Sequence, residues 1–418
     1  MKKVSHVLSL VMLMLLPIIL VACSEPVNTN QNENFDDSGY LIVDSTEVSF
    51  VPKRPNKIKF YVEVSGSMNG FFRANVPTRF KTDVWQVLNY YSPISEDITV
   101  LTNDGNQGIS YDLKSFQTLM NTGAFVSSAS TKIPIMLQSI IQNLDTNAGQ
   151  VAVLISDMKY DPIGQAAPQV LLTQFSTDVS TIFGKSNKAV SLVGATSQYL
   201  DKTGNSICDT SPYYFLIIGN GDNVAEMRNG ISTLLENNGD FIDNIESGLN
   251  FSAPSYAFGI PENAYQLDNE PTFLGYDTSY GDTCTIKLKV NLANYRWALT
   301  RPEVFREAFK CKVLYGSEIK VDSVSIDVQN ITNKELKRTA VATVDLKLYN
   351  MASDSEVIEW TMVLPDLEIT KFSPYLGATD KNDVSKTYSL ENFIKGMFYG
   401  GVTNKTLKNN YILISKKS

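Results

Sequence analysis

The stretch that most constrains the fold is a strand that ends in a serine-rich turn. Apolar and polar residues alternate over residues 57–64, which is the period of a β-strand with one buried face. The alternation stops at Ser65-Gly66-Ser67, a turn that favours the start of a helix. Glu63 stands two positions before the first serine of this turn. Three oxygen-bearing side chains at alternating spacing, on a turn that opens a helix, can converge on one hard cation.

From residue 57 to about 239 the chain alternates strand-like and helix-like segments. Residues 151–155 form a continuous apolar run, which is typical of a strand buried on both faces of a parallel sheet. The alternation predicts an α/β fold with a doubly wound, mostly parallel sheet. Further strands are predicted at 98–101, 109–113, 189–193 and 213–218, and helices at 80–91, 133–144, 170–183 and 224–235.

Two polar elements follow predicted strands and are expected at the same edge of this sheet. The serine turn follows the first strand, and Asp157 follows the apolar run at 151–155. In doubly wound sheets ligands bind beyond the carboxyl ends of the strands. The pattern therefore places a binding site at that edge.

The sequence Glu-Val-Ser-Gly-Ser-Met at 63–68 resembles the first motif of the von Willebrand factor A-type domain, Asp-x-Ser-x-Ser, which builds the metal-ion-dependent adhesion site. The chain has Glu63 where the family has Asp, which extends the carboxylate by about 1.5 Å. The resemblance implies two further site residues, Thr131 in a loop before a helix and Asp157 after a strand. The family usually has Gly before that Thr, whereas this chain has Ala129 and Ser130.

The resemblance also implies how the site would work. The hydroxyls of Ser65, Ser67 and Thr131 would ligate Mg²⁺ or Mn²⁺, and Glu63 and Asp157 would act through water. The remaining coordination position would take a carboxylate from a protein partner, in adhesion or assembly. The alternative is a metal-free scaffold in an envelope complex, in which Ser65, Ser67 and Thr131 only cap helices.

Composition excludes several functional classes. The 36 basic residues against 44 acidic ones give a net charge of −8, which argues against nucleic acid as a partner. The only histidine is His6, which lies in the predicted signal peptide. A mature chain without histidine excludes Ser-His-Asp and Cys-His catalysis and His-ligated zinc. We therefore predict a binding protein and not an enzyme; a histidine-independent hydrolase using Ser67, with Lys159 as the base, is the less favoured alternative.

The N-terminus predicts a lipid anchor. Residues 1–22 have the basic start and the short apolar run of a signal peptide. They end at Leu-Val-Ala before Cys23, which resembles a bacterial lipobox and implies lipidation of Cys23. Residues 23–39 then predict a flexible tether. Ser24 favours the outer membrane, on either its periplasmic or its surface face, while a soluble secreted protein is the alternative.

The pattern changes after the α/β part of the chain. We assign residues 40–245 to the A-type domain and residues 246–272, which hold several prolines, to a linker. Residues 273–418 carry period-2 alternation in several segments and predict a β-rich, sandwich-like domain with short helices. The helical segments predicted within it are 302–309 and 390–398.

Three cysteines follow Cys23, and their number is odd. Outside the cytoplasm one pair could form a disulfide bond, and Cys284 with Cys311 is the natural pair, which leaves Cys208 free. Alternatively, all three are small buried hydrophobic residues. The sequence leaves both interpretations open.

Overall fold

The structure is a computed structural model. Residues 1–53 lie outside its described part, and with them the predicted signal peptide, Cys23, the tether and the start of the A-type domain. The described residues are 54–101, 108–125, 131–160, 168–186, 188–247, 256–259, 264–266, 273–276, 283–292, 295, 302–314, 316–332, 337–350, 355–363, 369–377, 380, 382–401 and 410–416.

The first half of the chain forms a seven-stranded sheet with helices on both faces, in the strand order β3-β2-β1-β4-β6-β5-β7. Its strands are β1 (Lys57–Glu63), β2 (Ile98–Leu101), β3 (Ile109–Tyr111), β4 (Gln150–Ser156), β5 (Ala189–Leu200), β6 (Ser206–Gly219) and β7 (Phe241–Ser247). Its helices are α1 (Arg79–Tyr91), α2 (Leu113–Thr122), α3 (Ile133–Gln142), α4 (Pro168–Ser186) and α5 (Gly221–Asn238). The predicted α/β class is confirmed.

The sheet is mixed, with a parallel centre. Strands β2, β1 and β4 run parallel, and the other pairs, β2–β3, β4–β6, β6–β5 and β5–β7, are antiparallel. Residues 201–205, which join β5 to β6, are too few for the crossover that parallel neighbours need. The parallel pairing predicted for this half of the chain is therefore realised at the centre of the sheet, and the strands outside it pair as antiparallel neighbours.

Two apolar layers enclose the sheet. Helices α1, α2 and α5 pack on one face, against the side chains of Phe60 and Val153 among others. Helices α3 and α4 pack on the other face, against Tyr61 and Leu154. Strands β1 and β4 are therefore buried on both faces, which the apolar run at 151–155 predicted for β4.

The second half of the chain forms two smaller sheets that share one apolar core. Its strands are β8 (Tyr256–Gly259), β9 (Ala264–Gln266), β10 (Phe273–Tyr276), β11 (Thr283–Asn291), β12 (Phe309–Val313), β13 (Glu318–Thr332), β14 (Lys337–Tyr349), β15 (Ser355–Met362) and β16 (Asn410–Lys416), with helix α6 (Pro302–Ala308). The strand orders are β12-β15-β16-β10-β9 and β13-β14-β11-β8. Leu288 and Leu346 of one sheet join Ile358 and Trp360 of the other in one cluster, as in a sandwich.

Two segments differ from the predicted domain assignment. The stretch 246–272, predicted as a linker, contributes β8 and β9, which pair with β11 and β10. Helix α7 (Leu390–Gly401), predicted in the β-rich half, packs on α4 and covers the first sheet. The apolar side of α7, with Phe393 and Met397 fully buried, explains this position, because that face must be removed from water.

The cysteines of the described residues form no disulfide bond. Cys208, Cys284 and Cys311 are all free in the structure, so of the two interpretations left open the bond between Cys284 and Cys311 is not formed. Cys284 lies on β11 and Cys311 on β12, in different sheets, and both join the apolar cluster of the second half. Separately, no helix among the described residues has the length and apolar character needed to cross a membrane.

Candidate metal site

The parallel centre of the sheet brings the predicted site residues together. In the pairing of β1 with β4, Val62 lies opposite Ile155, so Glu63 and Ser156 end the two strands side by side. Asp157 follows immediately, and the turn at Ser65 leaves the same edge of the sheet. The convergence expected from the sequence is a direct result of this register.

The serines of the turn do not act as helix caps. Ser65 precedes a short 3-10 helix, Gly66–Met68, but its side chain makes no capping hydrogen bond. Its hydroxyl instead lies 2.8 Å from the hydroxyl of Ser67. Two neighbouring hydroxyl oxygens at one turn form a pair of neutral oxygen donors.

Thr131 also bonds into the site and does not cap α3. The N-cap position of α3 is occupied by Lys132, whose side chain makes no capping hydrogen bond. The Thr131 hydroxyl donates to Glu63 Oε1 at 3.5 Å, at the limit of a hydrogen bond. Thr131 is 2 % exposed, so its hydroxyl is shielded from solvent and its partner is this carboxyl group.

Glu63 is the centre of the hydroxyl network. Its side chain is fully buried, and the Ser156 hydroxyl donates to its Oε2 at 3.2 Å. Burial first, and then the charge of Asp157, raise the pKa of Glu63 from 4.5 to about 8, against hydrogen bonds from Ser65 and Ser156 that lower it. This raised pKa favours the protonated, neutral form of the Glu63 carboxyl group when no cation is bound.

Asp157 is the second buried carboxylate and is only half satisfied. It is 1 % exposed, and its Oδ1 accepts a hydrogen bond of 3.2 Å from the backbone N–H of Lys159. Its Oδ2 is buried and has no hydrogen-bond partner among the described residues. A buried unpaired carboxylate oxygen is costly, so it marks a position at which a bound cation would stabilise the protein.

The turn gives the site its contact with solvent. Ser67 is partly exposed, and Gly66 and Asn69 on either side of it are exposed, whereas Glu63 and Asp157 are buried. Among the five predicted site residues, Ser67 is therefore the one with the most contact with solvent.

A long hairpin supports the turn from the side. Strands β5 and β6 extend beyond the carboxyl end of β4, since their pairing continues to Leu200 while β4 stops opposite Tyr214. The N–H of Leu200 donates to the Gly70 carbonyl at 3.1 Å, and the Tyr199 ring lies directly against Gly70. A side chain at position 70 would collide with that ring, which explains the glycine.

The donor set is compatible with a hard cation, although it is not rich in charge. Among the described residues, no group of three or more His, Cys, Asp or Glu side chains forms a metal centre. The five predicted residues instead offer two carboxyl groups and three hydroxyls, and one of the carboxyl oxygens, Asp157 Oδ2, is buried without a partner among the described residues. Oxygen ligands of this kind suit Mg²⁺ or Mn²⁺.

Comparisons with known proteins found no matching family model, no matching curated protein and no matching solved structure. The resemblance to the von Willebrand A-type domain therefore rests on the motif at 63–68 and on the position of Thr131 and Asp157, and it stays a prediction.

Three residues of the site region were not singled out from the sequence. Ser156 precedes Asp157 at the strand end, so its position next to Glu63 could have been inferred from a parallel pairing of the two strands. Tyr199 and Thr387 could not, because both reach the site through long-range packing. Thr387 lies 230 residues from Asp157, whose backbone carbonyl it contacts.

Proposed function

We propose that the chain is a lipid-anchored cell-envelope protein that binds a protein partner through a divalent metal ion at the carboxyl edge of its α/β sheet. The observation that carries the proposal is the convergence of Glu63, Ser65, Ser67, Thr131 and Asp157 in one oxygen-rich site. The unpaired Oδ2 of Asp157 adds support, because it is the buried group that a cation would satisfy.

The residues divide into two roles in this proposal. The hydroxyls of Ser65, Ser67 and Thr131 would hold Mg²⁺ or Mn²⁺ directly, and the carboxyl groups of Glu63 and Asp157 would hold it through water. Bound metal supplies a positive charge that neutral hydroxyl ligands do not cancel, so the site would attract an anion. Because Ser67 is the partly exposed member, the partner's acidic side chain would enter beside it.

The anchor and the overall charge define the setting of this function. Lipid on Cys23 would hold the protein at the outer membrane, with residues 23–39 as a tether. The net charge of −8 makes nucleic acid a poor partner. A chain with net negative charge repels an acidic partner at long range. The positive charge of a bound metal would provide the local attraction for the partner's carboxylate.

A metal-free scaffold is the second candidate, and one observation favours it. The buried carboxyl group of Glu63 already accepts hydrogen bonds from Ser156 and Thr131, and its raised pKa favours the neutral form. A neutral acid in a hydroxyl network needs no cation. In that case partner binding would use other surfaces of the two halves.

The contacts give less support to a hydrolase. The Lys159 ammonium donates to the Asp383 carbonyl at 2.8 Å, while the Ser67 hydroxyl is paired with Ser65. A nucleophilic serine needs its base within hydrogen-bond reach. These separate partners favour binding over hydrolysis.

The deciding experiment is a calorimetric titration of Mg²⁺ and Mn²⁺ into the full-length chain in detergent solution, beside the variant Ser65→Ala/Ser67→Ala. Saturable binding by the wild type that the variant loses is the expected result. The matched control is Ser92→Ala/Ser95→Ala, two serines close to the opposite end of β1, where Ser95 lies beside Ile58. The control should bind metal like the wild type. If the wild type does not bind at millimolar metal, the metal-free scaffold replaces the first proposal.

A further inference from the structure

A segment from the C-terminal part of the chain lies over the loop that presents Asp157. We call residues 382–389 the clasp and residues 157–160 the Asp157 loop. The Lys159 ammonium donates to the Asp383 carbonyl at 2.8 Å, and the N–H of Tyr160 donates to the Ser389 hydroxyl at 3.2 Å. The clasp therefore contacts the loop on both sides of Thr387.

Thr387 makes the contact closest to the site. It is fully buried, and its hydroxyl donates to the backbone carbonyl of Asp157 at 3.1 Å. A second hydrogen bond of 3.1 Å joins the same hydroxyl to the phenol of Tyr214. Tyr214 lies on β6 opposite Ser156, so one hydroxyl ties the end of the sheet, the clasp and the Asp157 loop together.

The Asp157 loop needs such support because its backbone is unusual. Met158 has a φ of 56°, in the left-handed region that a residue with a side chain seldom adopts. Such a conformation persists only where the surroundings fix it. Three bonds do so here: the Met158 N–H donates to Ser156 Oγ at 2.8 Å, the Lys159 N–H donates to Asp157 Oδ1, and Thr387 holds the Asp157 carbonyl.

The same bonds restrain the residue that carries the unpaired carboxylate oxygen. The Lys159 N–H restrains the Asp157 carboxyl group through Oδ1, and Thr387 restrains the backbone that carries this side chain. Its Oδ2 is buried and has no hydrogen-bond partner among the described residues. Outer contacts of this kind orient the groups that hold a metal and adjust their affinity for it.

We infer that Thr387 is a positioning residue for Asp157, and that through it the clasp couples the metal affinity of the site to the C-terminal part of the chain. The inference deepens the proposed function and rests on it for the metal readout. The clasp leads directly into α7, which starts at Leu390 and packs on α4, so the order of the site depends on a segment far along the sequence.

The test replaces the hydroxyl of Thr387 without changing its shape. Thr387→Val in the full-length chain should weaken Mn²⁺ binding by about tenfold. This is the lower end of the effect expected when a residue that hydrogen-bonds a metal-holding residue is lost. Thr387→Ser keeps the hydroxyl and should restore most of the affinity. The matched control is Ser211→Ala, which removes a buried hydroxyl that donates to the Val384 carbonyl of the clasp but does not touch Asp157. It should lower the melting temperature and leave Mn²⁺ affinity within about twofold of the wild type.

A second readout does not need metal. Hydrogen–deuterium exchange of the backbone amides at 158–160 should speed up in Thr387→Val and stay near the wild-type rate in Ser211→Ala and Thr387→Ser. Equal Mn²⁺ affinity in wild type and Thr387→Val, or equal loss in Ser211→Ala, would overturn the inference. Absence of Mn²⁺ binding by the wild type would overturn the proposed function alone, and the exchange rates would then decide whether Thr387 fixes the loop.

Discussion

Ser156 donates a hydrogen bond of 3.2 Å to Glu63, and the two residues end neighbouring parallel strands, each fully buried. The same Ser156 hydroxyl accepts a hydrogen bond from the N–H of Met158 at 2.8 Å. One side chain therefore connects the central acid of the site with the backbone of the Asp157 loop.

Ser156→Ala should destabilise the protein by about 1–3 kcal/mol, because it leaves the buried N–H of Met158 without a partner and removes a donor to Glu63. Urea unfolding of the two proteins measures the difference. Ser92→Ala is the control, since that hydroxyl bonds the Asn89 carbonyl at an exposed helix end. Equal stability of Ser156→Ala and wild type would contradict this role of the Ser156 hydroxyl.

The free cysteines predict an order of reactivity. Burial raises the pKa of Cys284 to about 12 and that of Cys311 to about 11. Because the thiolate is the reactive form, both should be alkylated slowly in the folded protein. Cys208 is partly exposed on β6 and should react first.

Mass spectrometry after alkylation without reductant measures this order. In denaturant, Cys208, Cys284 and Cys311 should all be modified, since none is bridged in the structure. A pair that resists alkylation until reductant is added would instead restore the disulfide that the sequence suggested.

The centre of the fold and the site were predictable because both depend on short-range patterns. The alternation at 57–64 and the apolar run at 151–155 define two buried strands, and polar residues follow each of them. If these two strands are parallel neighbours, Glu63 and Asp157 lie at the same carboxyl edge of the sheet, independently of the outer strands.

The outer strands and the clasp were not predictable for a physical reason. A buried apolar run indicates a strand but not its direction, so the hairpin of β5 and β6 reads like two further parallel strands. Helix α7 shows an apolar face, yet nothing local specifies that this face packs on α4 and not in the β-rich half. The role of Thr387 follows from that packing.

A buried acid away from the site predicts a pH dependence of stability. Asp83 on α1 accepts hydrogen bonds from the Tyr213 hydroxyl and, at 2.6 Å, from the side chain of Asn238. Burial raises the pKa of Asp83 from 3.8 to about 6, against those bonds and together with the charge of Asp240. Arg79 pairs with Asp240 at 3.2 Å and is the cation of this cluster.

The sign follows from proton uptake. Between about pH 4 and pH 6 the folded protein keeps a proton on Asp83 that the unfolded chain has lost, so stability falls as pH rises through this range. At about 1.4 kcal/mol per pKa unit the loss amounts to about 3 kcal/mol. Asp83→Asn should reduce the fall of the unfolding free energy over this pH range by about that amount.

The control for this pH dependence is an acid with a shift of opposite direction. Hydrogen bonds from Ser115 lower the pKa of Asp112, which contributes stability that is lost as pH falls. Asp112→Asn should therefore leave the decline between pH 4 and pH 6 in place. A decline of the same size in Asp83→Asn would assign it to other groups, with Glu63 and Asp240 as the next candidates, since burial raises the pKa of both.

The packing of α7 on α4 predicts different effects for two glycines in the same interface. A Cβ at Gly396 would lie 2.5 Å from the Ser176 carbonyl oxygen and 2.8 Å from the Cβ of Val179, so the two helices would have to separate. Gly396→Ala should destabilise the protein by about 1–3 kcal/mol, as overpacking does. A Cβ at Gly184 would meet the Gly400 carbonyl oxygen at 3.3 Å, a contact that a small shift relieves.

Gly184→Ala should therefore be near neutral or slightly stabilising, because Ala gains about 1 kcal/mol over Gly inside a helix. Thermal unfolding of both variants, followed by circular dichroism, gives the comparison. The Gly396→Ala variant should also speed up hydrogen exchange at 158–160, since α7 continues directly from the clasp that holds the Asp157 loop. Equal melting temperatures of Gly396→Ala and Gly184→Ala would contradict the close packing of α7 on α4. They would also contradict the expectation that this packing supports the Asp157 loop.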